Sequence, residues 1–439
     1  MKRANSGSPE PCSADTLPPE AKRSKILYHD EVYVYSLLDL SDDVLLHIFK
    51  YLSSFDLMSL HLCCTRLHNL CYDRTLWRTV DLRARHLPLE ELNEYMKFIQ
   101  PVTKTVAIRG NKRKSEFPEL DESFLNTLNL KCENLQELIL EDYSILRGNI
   151  QIKNFPRSLQ KLSFKGCQII KDGLNGENNN KSYLWGIDRH MPNLTCLILT
   201  NCHWLNSHSF MAISKISKLK EVRLNSCHGL SEEVAYASLA CRYGLKSLEI
   251  LDLRDTFVGD SVVSSFNQTS TLTEIYLERP SSETVQHRPD ERPPQQEVLL
   301  VQLQRGPEAI HQNHQVVNGD AFNRLIFNMI DDTVRGNISD RSVCALGLVN
   351  HEINQEIIQN RNEVQVVQGR PRTSTNPNLK KLVVRNYAGV TNQTLINFVV
   401  NGPKLEYLDV TGTSVTKEGL QFFKTNRPNV TIISSFDEI

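Results

Sequence analysis

"LQELIL" (Leu135–Leu140) and "LQKLSF" (Leu159–Phe164) lie 24 residues apart and share the pattern L-x-x-L-x-L. Successive side chains of a strand point to opposite faces, so the last two apolar positions of each hexamer fall on one side. The pattern returns as LTCLIL from Leu194, LKEVRL from Leu219, LEILDL from Leu248 and LTEIYL from Leu272. It returns again as LKKLVV from Leu379 and LEYLDV from Leu405, with weaker copies from Trp77 (WRTVDL), Thr103 (TKTVAI) and Val430.

Many of the steps are 24 to 26 residues, the period of leucine-rich repeats, in which a short strand alternates with a return helix. One such unit cannot bury its apolar face alone, and stacking supplies the missing cover. The fold class read from the period is α/β: a leucine-rich-repeat solenoid with parallel strands on the concave face and helices and loops on the convex face. LSEEVAYASLA, VGDSVVSSF, VTNQTLINFVV and VTKEGLQFF follow strands and suit return helices. Cys167, Cys202 and Cys227 follow their strands at the template position where a small side chain turns inward.

The stretch RPSSETVQHRPDERPPQQ is Pro-rich and polar, and an irregular loop is expected over 279–297. VLLVQL from Val298 falls 26 residues after Leu272, FNRLIF from Phe322 falls 24 later, and ISDRSVCALGLV from Ile338 reads as a return helix. These spacings predict two or three degenerate repeats up to residue 378, with strands near 300 and 325 on the same sheet.

Upstream, Leu40 to Trp77 reads LSDDVLLHIFKYLSSFDLMSLHLCCTRLHNLCYDRTLW. Val44, Ile48 and Leu52 recur every four residues with Leu45 beside them, the apolar stripe of a helix. Ser41 ahead of two aspartates suits an N-cap, and Asp56 can cap a second helix carrying Leu57, Leu60, Cys64, Leu67 and Cys71. A third short segment ends at Trp77, expected to pack the junction with the first repeat. Three helices in about forty residues have a poor surface-to-volume ratio, so such a block calls for a partner over its remaining apolar face. The expected organisation is a disordered tail over 1–36, a helical block over 37–82 and the solenoid over 83–439.

The chain has 439 residues, with 50 basic and 51 acidic side chains and a net charge of −1. That balance carries no footprint for nucleic acid or for a membrane surface, so neither is expected as a partner. Eleven cysteines without a C-x-x-C pair, and the absence of an apolar leader at the N-terminus, set the expectation of a cytoplasmic or nuclear protein, or both. Lys2-Arg3 and Lys22-Arg23 with Lys25 resemble a bipartite nuclear-import signal, but a solvated polar tail is the favoured reading. His61, Cys63, Cys64 and His68 imitate a zinc cluster, but adjacent helical cysteines diverge, and no metal or other cofactor is expected. Gly259-Asp260-Ser261 sits where a return helix begins, where Asp or Ser is a cap rather than a hydrolase signature. No phosphate loop, nucleophile elbow or dinucleotide fingerprint occurs, so no catalytic residues are assigned.

The segments LSDDVLLHIFKYL, DLMSLHLCCTRLHNL and LW together resemble an F-box, and with the repeats the chain resembles the F-box/leucine-rich-repeat family. F-boxes usually begin Leu-Pro, and here Ser41 follows Leu40. The resemblance implies a noncatalytic substrate receptor of an SCF-type (Skp–cullin–F-box) ubiquitin ligase. Its F-box would dock on a Skp-type adaptor, and through it on a cullin, while the repeats hold a protein substrate. The resemblance places adaptor contacts at Leu40, Ser41, Val44, Leu45, Ile48, Leu52 and Leu57. Strand alternation turns Glu137, Ile139, Lys161, Ser163, Arg223, Asp252, Glu274, Lys381 and Asp409 to the open concave face. From that face Lys161, Lys165, Arg223, Arg254, Tyr276, Arg385 and Tyr407 are the candidate substrate contacts. The other readings are a repeat scaffold outside any ligase and a regulator resembling leucine-rich-repeat GTPase activators, which lacks an arginine-bearing edge loop.

Overall fold

The computed structural model describes residues 36–111, 120–170, 182–206, 208–230, 234–281, 336–347, 355–360, 363–368 and 376–436. The chain starts with a short 3-10 turn, Leu37–Asp39, and three helices: α1 (Asp42–Phe49), α2 (Ser54–His61) and α3 (Thr65–Cys71). Ser41 does hold the N-cap position of α1, but its hydroxyl makes no capping hydrogen bond. Arg66 on α3 secures that entry instead: Nη2 donates to the Leu40 carbonyl at 2.7 Å and Nε to Asp42 Oδ1 at 2.9 Å, and Nη1 donates to the Leu38 carbonyl. The cap of α2 is Ser53, not Asp56, and the single helix expected through Cys71 is two, broken at Cys64, whose extended backbone starts α3. The Ser53 hydroxyl accepts from the Asp56 amide, and the Asp56 carboxylate accepts from the Ser53 amide, a reciprocal box.

Strands then alternate with return segments. β1 (Thr79–Asp81) and β2 (Thr105–Arg109) are separated by α4 (Leu89–Tyr95), and α5 (Glu122–Lys131) leads to β3 (Glu137–Glu141). The next two repeats return through short extended pieces, β4 (Ser144–Leu146) and β6 (Gln168–Ile170), which pair with each other around β5 (Lys161–Ser163). α6 (Ile187–His190), β7 (Cys196–Ile198), α7 (His208–Ser214), β8 (Glu221–Arg223), α8 (Val234–Tyr243), β9 (Ile250–Asp252), α9 (Asp260–Ser264) and β10 (Glu274–Glu278) follow. After α10 (Asp340–Cys344) comes an antiparallel pair, β11 (Gln355–Asn360) and β12 (Glu363–Gln368). The chain closes with β13 (Lys381–Arg385), α11 (Asn392–Asn401), β14 (Tyr407–Asp409), α12 (Lys417–Asn426) and β15 (Thr431–Ile433).

Eleven of these strands form one parallel sheet in the order β1-β2-β3-β5-β7-β8-β9-β10-β13-β14-β15. Their register aligns one inward side chain per strand, running Val80, Val106, Leu138, Leu162, Leu197, Val222, Leu251, Ile275, Leu382, Leu408 and Ile432. All eleven are buried, and each contributes about 1.5–3 kcal/mol of transfer free energy. Five residues after the start of most strands the backbone turns left-handed: at Asp142, Gly166, Asn201, Ser226, Asp255, Asn386 and Gly412. All but Ser226 are Gly, Asn or Asp, the residue types that tolerate a positive φ. The N–H of Asn201 donates to the Asn225 carbonyl at 2.9 Å, and that of Ser226 to the Arg254 carbonyl at 2.9 Å, so each turn is stitched to the next repeat. Immediately after, the thiols of Cys202 and Cys227 donate to the carbonyls of Phe164 (2.9 Å) and Leu199 (2.8 Å). Burial pushes the Cys227 thiol up to about 12, so it is a structural donor and not a nucleophile.

The expected extra repeats between 298 and 378 are corrected by the sheet. β10 pairs directly with β13, Glu274 against Lys381 and Glu278 against Arg385, so no strand stands between them. The hexamers at Val298 and Phe322 lie outside the described residues, as does the expected tail over 1–36 apart from Ser36. The return helix expected from Ile338 is there as α10, packed between α9 and α11. It completes the repeat that β10 begins. Asp260 on α9 accepts from the Ser339 amide at 2.7 Å, and Asp340 accepts from the Thr391 amide (2.9 Å) and hydroxyl (2.6 Å) and from the Thr394 hydroxyl (2.6 Å). Each helix start thus caps the next, and the series α9, α10, α11 is continuous although residues 282–335 intervene in the chain.

Candidate functional site: two protein-interaction surfaces

The first surface lies on the three N-terminal helices. Leu45, Phe49, Leu57, Leu67 and Cys71 turn inward and join the same core as the repeats. Trp77 is buried at the junction. Its Nε1 donates to the Cys71 carbonyl at 2.6 Å, its ring stacks on Phe98 at 4.5 Å, and its carbonyl accepts from Thr103 at 2.8 Å. Helices and solenoid therefore share one packed seam rather than a linker.

Among the expected adaptor contacts, Val44 and Ile48 stand outward, 45% and 37% exposed, and Ser41 is exposed beside them. Leu40 and Leu52 are half-buried against the core. Leu45 and Leu57 are corrected: both are buried in the chain's own core, because a unit this small needs one face of each helix for itself. Sequence reading missed four further exposed apolar residues of the same helical block, Leu37, Leu38, Tyr51 (81% exposed) and Leu62 (77%). Leu62 directly follows α2, a position that helical periodicity alone does not flag.

The second surface is the outward face of the sheet. Lys161 pairs with Glu137 at 3.4 Å, and Lys165 with Glu141 at 3.6 Å, toward its N-terminal half. Arg223, Arg254, Tyr276 and Tyr407 come together in the C-terminal half, on β8 to β14. Arg254 lies over the Tyr276 ring at 5.2 Å, and Lys381 lies over both Tyr276 (5.1 Å) and Tyr407 (4.8 Å). Burial, with the Glu274 carboxylate accepting from its hydroxyl at 2.5 Å, pushes Tyr276 up to about 12, so the ring stays neutral. Arg385 sits one register step away and donates to Asp409 Oδ2 through Nε (2.8 Å) and Nη2 (2.6 Å).

Three residues expected on the open face are buried. Ser163 is covered because it lies in register between the longer Ile139 and Ile198. Asp252 and Asp409 point to the open face but are roofed by the arginines they bind, and neither keeps any solvent exposure. Asp252 Oδ1 accepts from the Arg254 amide (3.2 Å) and Nε (2.9 Å), and Oδ2 from Nη2 (2.7 Å). Burial pushes the Asp409 carboxyl up, but hydrogen bonds from Arg385 and Thr411 more than offset this and hold it below the usual carboxylate range. Asp81-Leu-Arg83 and Asp252-Leu-Arg254 repeat one sequence with one geometry, and that repeated triplet was the signal available in the sequence.

Among the described residues no group of three or more His, Cys, Asp or Glu is arranged to hold a metal ion, and no helix is long and apolar enough to cross a membrane. Both surfaces have the chemistry of contact.

A family model described as F-box-like matches residues 38–83. The mouse protein named F-box/LRR-repeat protein 12 is 27% identical over 218 residues, 49% of this chain and 64% of that protein. The human protein of the same name is 26% identical over the same shares. The chain thus spans a little under two thirds of the length of these curated relatives. Solved structures with a similar course include the TLR13–ssRNA13 complex, at 13% identity and TM-score 0.40, covering 82% of this chain and 37% of that one. The Rad7–Elc1 complex of yeast, at 14% identity and TM-score 0.38, covers 84% and 78%. With an F-box-like helical block fused through one core to a sheet of leucine-rich repeats, the chain is similar to the F-box/LRR-repeat proteins.

Proposed function

We propose that the chain is a noncatalytic substrate-recognition subunit of an SCF-type ubiquitin ligase. Its F-box docks on a Skp-type adaptor, and through it on a cullin, while the sheet face holds a protein substrate for modification by the associated conjugating enzyme. The observation that carries this reading is the exposed apolar set Val44, Ile48, Tyr51 and Leu62, on a block whose inner side chains are already committed to the core. Exposed apolar side chains gathered on one small helical unit mark a surface that a partner covers. The packed junction at Trp77 fixes the angle between that surface and the sheet, which suits a device that must present one protein to another.

Co-expression with a Skp-type adaptor tests it, beside a Val44→Asp/Ile48→Asp variant. Both positions face outward, so the variant keeps its fold while charges enter the apolar contact. Stoichiometric co-purification with the natural chain and its loss in the variant support the reading. A folded natural chain that never captures adaptor overturns it and leaves a repeat scaffold outside any ligase.

A further inference from the structure

The two Asp-Leu-Arg triplets act as internal copies of one another. In the first, Asp81 accepts from the Arg83 amide (3.1 Å), Nε (2.9 Å) and Nη2 (2.6 Å), and the remaining Nη1 donates to Glu141 Oε1 at 3.1 Å. In the second, Asp252 takes the same three donors of Arg254 at 3.2, 2.9 and 2.7 Å. Here Nη1 makes no hydrogen bond among the described residues. The first copy thus displays what the same edge of the guanidinium takes when a partner is present: a carboxylate oxygen.

A second cation with unused donors stands beside it. Lys381 forms no ion pair among the described residues, and the faces of Tyr276 and Tyr407 hold its ammonium. Arg254 and Lys381 approach the same Tyr276 ring from the strands on either side of β10. The nearby acids are committed elsewhere: Glu274 to the Tyr276 hydroxyl, Glu221 to Arg223, Asp252 and Asp409 to their arginines. Glu278 adds only its charge to Arg254 and Arg385, without a hydrogen bond to either. A guanidinium fixed by a buried carboxylate loses little freedom when it binds, which favours it as an anchor.

We infer that Arg254, Lys381 and Tyr276 form a carboxylate-reading site, and that the substrate segment received by this sheet carries Asp or Glu side chains to it. The chemistry is a charge-assisted hydrogen bond to Arg254 Nη1 and to the Lys381 ammonium, over a tyrosine face that takes the aliphatic part of the same residues. The inference rests on the proposed receptor role only in calling the bound segment a substrate.

The test uses the full chain, co-purified with adaptor where adaptor binds, on an array of randomised octapeptides that includes phosphoserine. The natural chain should enrich Asp and Glu. Arg254→Gln and Lys381→Gln should each weaken the best acidic peptide about tenfold, the effect of one lost charged hydrogen bond. Arg83→Gln, whose Nη1 is already engaged, should leave that affinity unchanged, and Glu278→Gln should raise it. Enrichment of phosphoserine alone, no acidic preference, or equal losses in Arg83→Gln and Arg254→Gln each overturn the assignment. Adaptor capture, scored on the same samples, separates the two ideas. Capture without acidic preference defeats this inference alone, and acidic preference without capture defeats the ligase reading alone.

Discussion

The F-box face and the sheet face solve opposite problems. On the F-box-like block the outward residues are apolar, and among the described residues Tyr51 and Leu62 stay largely uncovered. On the sheet the outward residues are charged, and most are already matched: Lys161 by Glu137, Lys165 by Glu141, Arg385 by Asp409. Any partner of the F-box gains from removing water from carbon. A partner of the sheet must displace or extend ion pairs that are satisfied without it, so it gains little unless its charges fall in the right places. On the proposed function, the first surface suits affinity and the second discrimination.

The largest effect that would sharpen the contrast comes from reversing inside and outside on α1. Leu45→Ala should cost about 2–5 kcal/mol of stability in urea unfolding, whereas Ile48→Ala should leave stability within about 1 kcal/mol and weaken adaptor capture. Equal destabilisation by both would erase the distinction between core stripe and docking stripe. Next, Asp252→Ala removes the buried anchor of Arg254 and should lower stability by about 1–3 kcal/mol, read as a shifted urea midpoint at constant slope.

A smaller effect follows from pH. The Asp409 carboxyl is held low in the folded state, so it stabilises the fold above the unfolded carboxylate value of about 3.9, and this contribution is lost as pH falls from there toward the folded value. Asp409→Asn should therefore flatten the acid limb of a stability-versus-pH curve, and an unchanged limb would sink the claim that Arg385 and Thr411 hold that charge. Smallest of all, Lys165→Ala removes a pair 3.6 Å apart with an exposed lysine, and should change stability by no more than about 0.5 kcal/mol.

The repeat fold was legible because its signal is redundant. L-x-x-L-x-L recurs often enough that the parallel sheet, the inward row and the return helices α8, α9, α11 and α12 all stand where the period puts them. The same period predicted strands near 300 and 325 between β10 and the C-terminal repeats, whereas β10 pairs directly with β13. The F-box helices were legible from one stripe, but not the split of that stripe into buried Leu45 and exposed Ile48, which depends on packing by α2, α3 and Trp77. On the sheet, alternation told which face a residue takes. It did not tell that Asp252 loses all exposure there, because the cover is a matter of side-chain conformation: Arg254, two residues on, folds back over the carboxylate, and Arg223 closes in from the neighbouring strand.

The pairing of β10 with β13 has a kinetic consequence. Neighbouring strands elsewhere in the sheet lie 24 to 35 positions apart in the chain, but Glu274 and Lys381 are separated by 107. Closing that larger loop costs about 1.2 kcal/mol more entropy than closing an ordinary repeat. The blocks before and after it therefore zip by short-range contacts and meet last along β10 and β13, with Asp260 and Asp340 as the latches between their helices. In a stacked array that propagates from neighbour to neighbour, this joint sets where cooperativity breaks first, and hydrogen exchange under mild urea should open the amides of β13 to β15 ahead of those of β5 to β9.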